Sequence, residues 1–165
     1  MRCERRYFQS RFGARSEIFW LPDTFGYSSQ IPQLCRQAGM KYFLTQKLSW
    51  NEINRIPSNT FAWVGLDGSD VIAHFPPTDN YSAQGSVEEM LKNEQNHAER
   101  HLSPRSMLLF GVGDGGGGPT RNQLERMRRV KDLRGLPKVV QRSPQEFFEQ
   151  LEMDAQVGTG RSVPG

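Results

Sequence analysis

From Glu17 onward the chain alternates short apolar runs with polar stretches of helical period. EIFWL (17–21), SSQIPQLCRQAG (28–39) and KYFLT (41–45) read as strand, helix and strand, which is a βαβ unit. TFAWVGL (60–66) and DVIAHF (70–75) predict two more strands, joined in a hairpin through the turn dipeptide Asp67-Gly68. A helix is expected over SVEEMLKNEQNHAERH (86–101), where Ser86 can cap the first turn and Glu89, three residues on, can bond back to it. MLLFG (107–111) then reads as a strand, GVGDGGGGPT (111–120) as a glycine loop, and TRNQLERMRRVKDL (120–133) as a helix with Leu124, Met127, Val130 and Leu133 at intervals of three. LPKVVQ (136–141) predicts a last strand, and Ser143-Pro144-Gln145-Glu146 places a cap, a first-turn proline and a third-position glutamate ahead of FFEQLEM. Periodicity ends near Ala155, so a domain over residues 1–154 and a divergent, disordered tail over 155–165 are expected.

Strands alternating with helices predict an α/β fold with a mostly parallel sheet. Ligands of such sheets bind outside the carboxyl ends of the strands. Two expected loops at those ends carry an aspartate: Asp23, after EIFWL, and Asp114, after MLLFG. Aspartate is also a common cap and loop residue, and on composition alone that use outnumbers catalysis. The four glycines after Asp114 leave the backbone free to approach a ligand or take positive φ. No Gly-Lys-Ser/Thr follows, so this is not a phosphate-binding P-loop, and GVGDGG matches only the letters of a dinucleotide fingerprint. Two carboxylates at one sheet edge are what retaining glycoside hydrolysis requires, provided that they stand roughly 5–5.5 Å apart.

Composition narrows the classes. The 165 residues carry 21 Lys and Arg against 18 Asp and Glu, and the basic clusters at Arg2–Arg15 and Arg126–Lys131 lie among acids such as Glu125 and Asp132, so solvated helix faces are favoured over a nucleic-acid groove. A mean hydropathy of −0.66 and the absence of any run near the ~20 apolar residues needed to span a bilayer argue against a membrane protein. MRCERRYFQS has no apolar segment behind its basic residues, so no secretory leader is expected. Cys3 and Cys35 fit no disulfide or zinc framework, which makes a reducing compartment the default.

FWLPDTFGYSSQIPQ (Phe19 to Gln33), FLTQKLSWNEINRIP (Phe43 to Pro57), TFAWVGLDGS, HFPPTDNY (His74 to Tyr81) and LLFGVGDGGGGPT (Leu108 to Thr120) together resemble the family 38 glycoside hydrolases, in particular the cytosolic and vacuolar branch of class II α-mannosidases. The resemblance runs in order from about Phe8 to about Asp154. It implies part of an N-terminal catalytic α/β domain, a mostly parallel sheet or distorted barrel with flanking helices. The expected activity is retaining, zinc-assisted hydrolysis of terminal α-mannosyl residues from oligomannosides. By resemblance Asp23 is both nucleophile and ligand of the catalytic metal, zinc with cobalt as the alternative, and Asp114 is the general acid/base. Phe25 matches an aromatic beside the bound sugar, and Tyr81 a substrate-contacting tyrosine.

Family members draw further zinc ligands from an upstream HxDxxW motif and a downstream histidine, neither of which occurs in this sequence. His74 is the one histidine placed to face the site, whereas His97 and His101 are expected in solvent, and Ser58-Asn59 stands where relatives commonly have histidine. Trp20, Trp50 and Trp63 sit in apolar runs and are expected in the core. The resemblance implies a cytoplasmic setting, with vacuole or lysosome as the alternative for the parent protein, and an oligomannoside as partner, with an oligomeric parent compatible with it. The chain is expected to be a fragment that is inactive alone. The alternatives are a non-catalytic sugar- or protein-binding remnant and, last, a nucleotide-binding module built on the glycine loop.

Overall fold

The computed structural model describes residues 2–159, with side chains from Arg5 to Ala155. In chain order the elements are α1 (Arg2–Phe12), β1 (Ile18–Trp20), α2 (Ile31–Gln37), β2 (Tyr42–Leu44), a 310 turn (Lys47–Ser49), β3 (Thr60–Val64), β4 (Asp70–His74), α3 (Val87–Asn96), α4 (Arg121–Val130) and α5 (Pro144–Thr159). The strands form one sheet in the order β1-β2-β4-β3. Pairing is parallel from β1 to β2, with Ile18 opposite Tyr42, and from β2 to β4, with Leu44 opposite His74. The expected hairpin of β3 and β4 closes the sheet as an antiparallel edge, its turn held by the Gly65 N–H on the Ser69 carbonyl at 2.7 Å. The fold is α/β, a small mixed sheet with helices around it.

The unbroken apolar run of β2 follows from burial on both faces, the usual condition of a parallel strand. On one face Tyr42 and Leu44 pack with Ile18, Met107 and, from α5, Phe148 and Leu151. The Tyr42 and Phe148 rings stack at 4.9 Å, and the Tyr42 hydroxyl donates to Glu152 at 2.6 Å. On the other face Phe43 packs with Val71, Ala73 and, from the α2 region, Cys35 and Met40. Phe43 is fully buried, with Tyr27 and Trp63 edge-on at 5.1 and 5.0 Å. Burial of such a side chain stabilises by about 1.5–3 kcal/mol. A third cluster, Met90 with Met127 and Val130, joins α3 to α4.

Both expected capping boxes form. Ser86 accepts from the Glu89 N–H and Glu89 accepts from the Ser86 N–H; Ser143 and Glu146 exchange the same pair of bonds at the start of α5. Thr120 and Gln123 build a further box at α4. Helix α5 continues through Thr159, beyond the expected boundary at Asp154, and residues 160–165 of the expected tail lie outside the described residues. Among the described residues no helix is long and apolar enough to cross a membrane.

Three expected elements are corrected. MLLFG is not a strand: Phe110 makes one parallel bridge to Ala83, and side chains bond much of the remaining backbone. Asn93 donates to the Met107 carbonyl, Gln123 to the Gly111 carbonyl, and the Met107 N–H donates to His74 Nε2. LPKVVQ is likewise irregular, tied by the Val139 N–H to the Lys131 carbonyl, because Leu136 and Val139 turn onto the α3–α4 cluster instead of onto a strand. Helix α3 stops at Asn96, short of the expected 101, as His97 turns extended and is buried rather than solvated, while His101 remains exposed.

His74 does not face the site. It is fully buried, accepts at Nε2 from Met107 (3.2 Å) and so carries its proton on Nδ1, which faces the Thr60 hydroxyl at 2.8 Å. Burial pushes its pKa down to about 3, and the neighbouring His97 pushes in the same direction. The unfolded chain therefore takes up a proton that the folded chain refuses. The stability this represents is complete above the ordinary histidine range near 6.5 and is lost as pH falls from there toward 3. Between about pH 7.5 and 5 the loss attributable to His74 is expected to be about 2 kcal/mol. Urea unfolding at those two pH values should show it, and His74→Gln, although less stable at the higher pH, should show a shallower fall.

Candidate active site

The sheet leaves its strand ends pointing at one edge, and three loops meet there. The first, 21–30, leaves β1 and is fastened both to β2 and to the residue after it. The Leu21 N–H donates to the Leu44 carbonyl at 2.9 Å, and the Tyr27 hydroxyl donates to the Leu21 carbonyl at 2.8 Å and sits 2.6 Å from Thr45 Oγ1. Asp23 stands between these fastenings. The second loop, 75–82, leaves β4 and turns at Asp79, whose φ of +54° lies in the left-handed region that aspartate tolerates better than most residues. Two side chains hold that turn by its carbonyl: Gln46 Nε2 at 2.8 Å and Trp50 Nε1 at 3.0 Å. The third is the glycine loop, where Asp114 has φ +48°.

Tyr81, two residues past the Asp79 turn, connects all three loops. Its hydroxyl bonds Asp23 Oδ2 at 3.1 Å and Asp114 Oδ1 at 2.9 Å. Those two carboxylate oxygens therefore stand no farther apart than the two bonds end to end. One phenol holds one proton. Either it is shared between both carboxylates, or a carboxyl proton completes the second bond. The bond to Asp114 first, then partial desolvation and the bond to Asp23, push the Tyr81 pKa up to about 12, so the phenol stays protonated and able to donate at any physiological pH.

Behind Asp23 lies a residue that the sequence did not single out. Lys47, in the 310 turn just beyond β2, is buried, its side chain 5% exposed, with Nζ 3.5 Å from Asp23 Oδ1. The ammonium sits over the rings of Trp50 at 3.3 Å, Tyr81 at 4.8 Å and Phe25 at 5.5 Å. Trp50 and Trp20 are thus corrections: Trp50 is 58% exposed and a wall of this site rather than core, and Trp20 is exposed at the end of β1, whereas Trp63 does pack on the Phe43 cluster. The one signal in the sequence was position: a lysine following the apolar run of β2, at the same edge as Asp23. The side chains at this edge are open, with Asp23 and Asp114 exposed and Phe25 72% exposed.

A cleft of about 220 Å³ is lined by Ser49, Arg55, Asn59, Asp79 and Asn96 among others, and none of Asp23, Tyr81 and Asp114 lines it. Ser58-Asn59 therefore belongs to this cleft, and Asn59 is occupied in structure, its Oδ1 accepting from the Ala98 N–H at 2.8 Å. Among the described residues no group of three or more His, Cys, Asp or Glu side chains could hold a metal. Zinc sites use three or four protein ligands. The residues present therefore do not make one, and Asp23 could supply a single ligand.

Residues 3–164 match the family model described as the glycosyl hydrolases family 38 N-terminal domain. The chain is 51% identical over 152 residues to the human protein named Alpha-mannosidase 2C1, a match covering 92% of this chain and 15% of that protein. It is 49% identical to Alpha-mannosidase G of Dictyostelium discoideum and 44% identical to an Alpha-mannosidase of Saccharomyces cerevisiae, covering 90% and 89% of this chain and 14% of each relative. The crystal structure of an alpha-mannosidase from Enterococcus faecalis superposes with a TM-score of 0.65 at 14% identity, over 88% of this chain and 17% of that one, a likeness of fold. The chain thus spans about one seventh of the length of the curated relatives it matches.

The tight approach of the glycine loop to Tyr81 is open to test. A Cβ on Gly113 would lie 3.0 Å from Tyr81 Cε2 and 3.0 Å from Ser82 Cβ, whereas one on Gly118 would meet nothing within 4 Å. Gly113→Ala is expected to cost about 1–3 kcal/mol, as overpacking does. Gly118→Ala should stay within about 0.5 kcal/mol of the parent. Paired urea denaturation curves check both.

Proposed function

This chain belongs to glycosyl hydrolase family 38, through the N-terminal domain of that family, and from that premise we propose that it forms part of the catalytic domain of an α-mannosidase. The substrate class is the terminal α-mannosyl residue of an oligomannoside, and the reaction is hydrolysis with retention. What carries this reading is the Asp23–Tyr81–Asp114 bridge, which brings together carboxylates from loops 91 residues apart. Inverting enzymes keep their carboxyl groups roughly 6.5–9.5 Å apart to admit a water, and retaining ones about 5–5.5 Å. The two oxygens that Tyr81 bridges stand no farther apart than its two bonds end to end, which is compatible with the retaining spacing, and the resemblance to the family carries retention.

In this reading Asp23 is the nucleophile, which attacks the anomeric carbon to form a covalent mannosyl-enzyme. Asp114 gives a proton to the departing oxygen and then takes one from the water that releases the sugar. The bridge suits this pairing: the Tyr81 hydroxyl lies within hydrogen-bond distance of Asp23 Oδ2 and Asp114 Oδ1, so one side chain holds both carboxyl groups at the place proposed for the sugar. Phe25, exposed beside Asp23, offers an apolar face to the sugar ring. Zinc with Asp23 as one ligand belongs to the same proposal, with its other ligands outside the described residues; bound there, it would fix sugar hydroxyls as a template. None of the proton transfers depends on it. A cytoplasmic setting follows from the resemblance to the cytosolic branch.

The reading is tested in human Alpha-mannosidase 2C1 with its 152 matching residues replaced by those of this chain. With an aryl α-mannoside, α-mannose should be the first anomer seen by proton NMR; β-mannose would refute retention. Asp23→Asn should abolish turnover, and Asp114→Asn should lower it about 10²–10⁴-fold, the usual worth of general acid–base catalysis. Persistence of either activity would overturn that residue's role. The 165-residue chain alone is expected to hold no stoichiometric zinc in equilibrium dialysis and to hydrolyse no aryl α-mannoside.

A further inference from the structure

We propose that Lys47 is a positioning residue for the Asp23 carboxylate, a two-point clamp in which Lys47 holds Oδ1 while Tyr81 holds Oδ2. This rests on the reading of Asp23 as nucleophile and adds a residue to it. A carboxylate on an exposed loop can turn about its terminal torsion, which is broad and roughly two-fold. Attack on an anomeric carbon needs one oxygen aimed and the other out of the way. Asp23 has its two oxygens committed to different partners on different loops: Oδ1 to the Lys47 ammonium at 3.5 Å and Oδ2 to the Tyr81 hydroxyl at 3.1 Å. Rotation of the carboxylate would break both contacts together.

The clamp works because Lys47 itself has little freedom. An ordinary surface ion pair holds two long, mobile side chains and is worth little. Here the lysine side chain is 5% exposed and the aspartate 45%. The ammonium is set against Trp50, Tyr81 and Phe25, and Asp23 is its carboxylate partner among the described residues. Aromatic faces attract a cation most strongly where water is excluded. Tyr81 therefore takes part twice, its ring against the ammonium and its hydroxyl on the carboxylate, so that Lys47, Tyr81 and Asp23 close a ring of contacts. Trp50 is fixed in turn by its bond to the Asp79 carbonyl.

Crystal structures of the 165-residue chain carrying Lys47→Met, Lys47→Ala and Lys47→Arg read the clamp directly. The methionine and alanine variants are expected to release Oδ1 and turn the Asp23 carboxylate away from Tyr81, and the arginine variant to keep its orientation. An Asp23 carboxylate unmoved in both neutral variants overturns the proposal. The kinetic arm uses the same substitutions in the human enzyme carrying these residues. Lys47→Met should lower kcat about 10²-fold, as a misplacement near 1 Å does, with KM within about threefold, and Lys47→Arg should recover most of the loss. A kcat that stays at the parent value in Lys47→Met, or a loss confined to KM, overturns the role. Absence of turnover in the unsubstituted protein would count against the mannosidase reading alone, and the crystal structures would still decide the clamp.

Discussion

Strand β2 is paired on both edges and buried on both faces, and the geometry of the site depends on that constraint. Tyr42, Phe43 and Leu44 have no freedom to shift, because β1 and β4 hold their backbone and two separate apolar clusters hold their side chains. The residues immediately beyond the strand inherit its rigidity, and each reaches a neighbouring loop. Thr45 meets Tyr27 from the loop after β1, Gln46 holds the Asp79 carbonyl in the loop after β4, and Lys47 meets Asp23. Thr45 and Gln46 are fully buried polar residues in a place where a parallel strand would ordinarily continue apolar. The bonds they make offset part of the desolvation cost, Gln46 Oε1 being buried without a partner among the described residues, and those bonds are what bring two loops into one register.

A division of labour results. The groups proposed to react are exposed, and the groups that hold them are buried: Asp23, Asp114 and Phe25 face outward, with Thr45, Gln46 and Lys47 behind them. Geometry held to a fraction of an ångström comes from supporting residues whose own rotamers are locked. The aspartates at positive φ belong to the same pattern. Asp79 and Asp114 occupy a region most residues avoid, at a cost of order 1–3 kcal/mol when bulky and less for aspartate. Asp79 is kept there by two side-chain donors on its carbonyl, and Tyr81 is placed by that turn.

The parts of the fold that were legible in the sequence are those governed by local rules. Alternation and turn chemistry give β1 through β4, and the pairs Ser86/Glu89 and Ser143/Glu146 mark two helix starts because a capping box needs only residues three apart. MLLFG failed as a strand because, apart from its bridge to Ala83, its backbone partners are side chains, Asn93, Gln123 and His74, brought from as many as 33 residues away, which no window of sequence displays. His97 looked solvated for a similar reason: its neighbours are polar, and its burial comes from the turn at the end of α3. For the site, topology placed Asp23 at the sheet edge, the placement of Asp114 rested on MLLFG as a strand, which it is not, and Tyr81 entered through resemblance to a family. Their meeting at a single hydroxyl lay beyond either argument, and so did the lysine behind them.

That hydroxyl imposes a last constraint, which is arithmetic in protons. A phenol kept protonated at physiological pH, with two carboxyl groups in reach, can donate to one of them and accept from the other only if that other is an acid. With both carboxylates charged, one bond must weaken and the two negative groups repel; with both protonated, the pair holds one proton more than its bonds can use. The singly protonated pair is the state in which both bonds are satisfied. It is also the state a two-carboxylate glycosidase requires before its first step, with one group ionised to attack and one protonated to donate. Lys47 breaks the remaining symmetry. Its ammonium stands beside Asp23 and makes no ion pair with Asp114 among the described residues, so the two carboxyl groups of the bridge have different electrostatic neighbours. That asymmetry supports the roles proposed for Asp23 and Asp114.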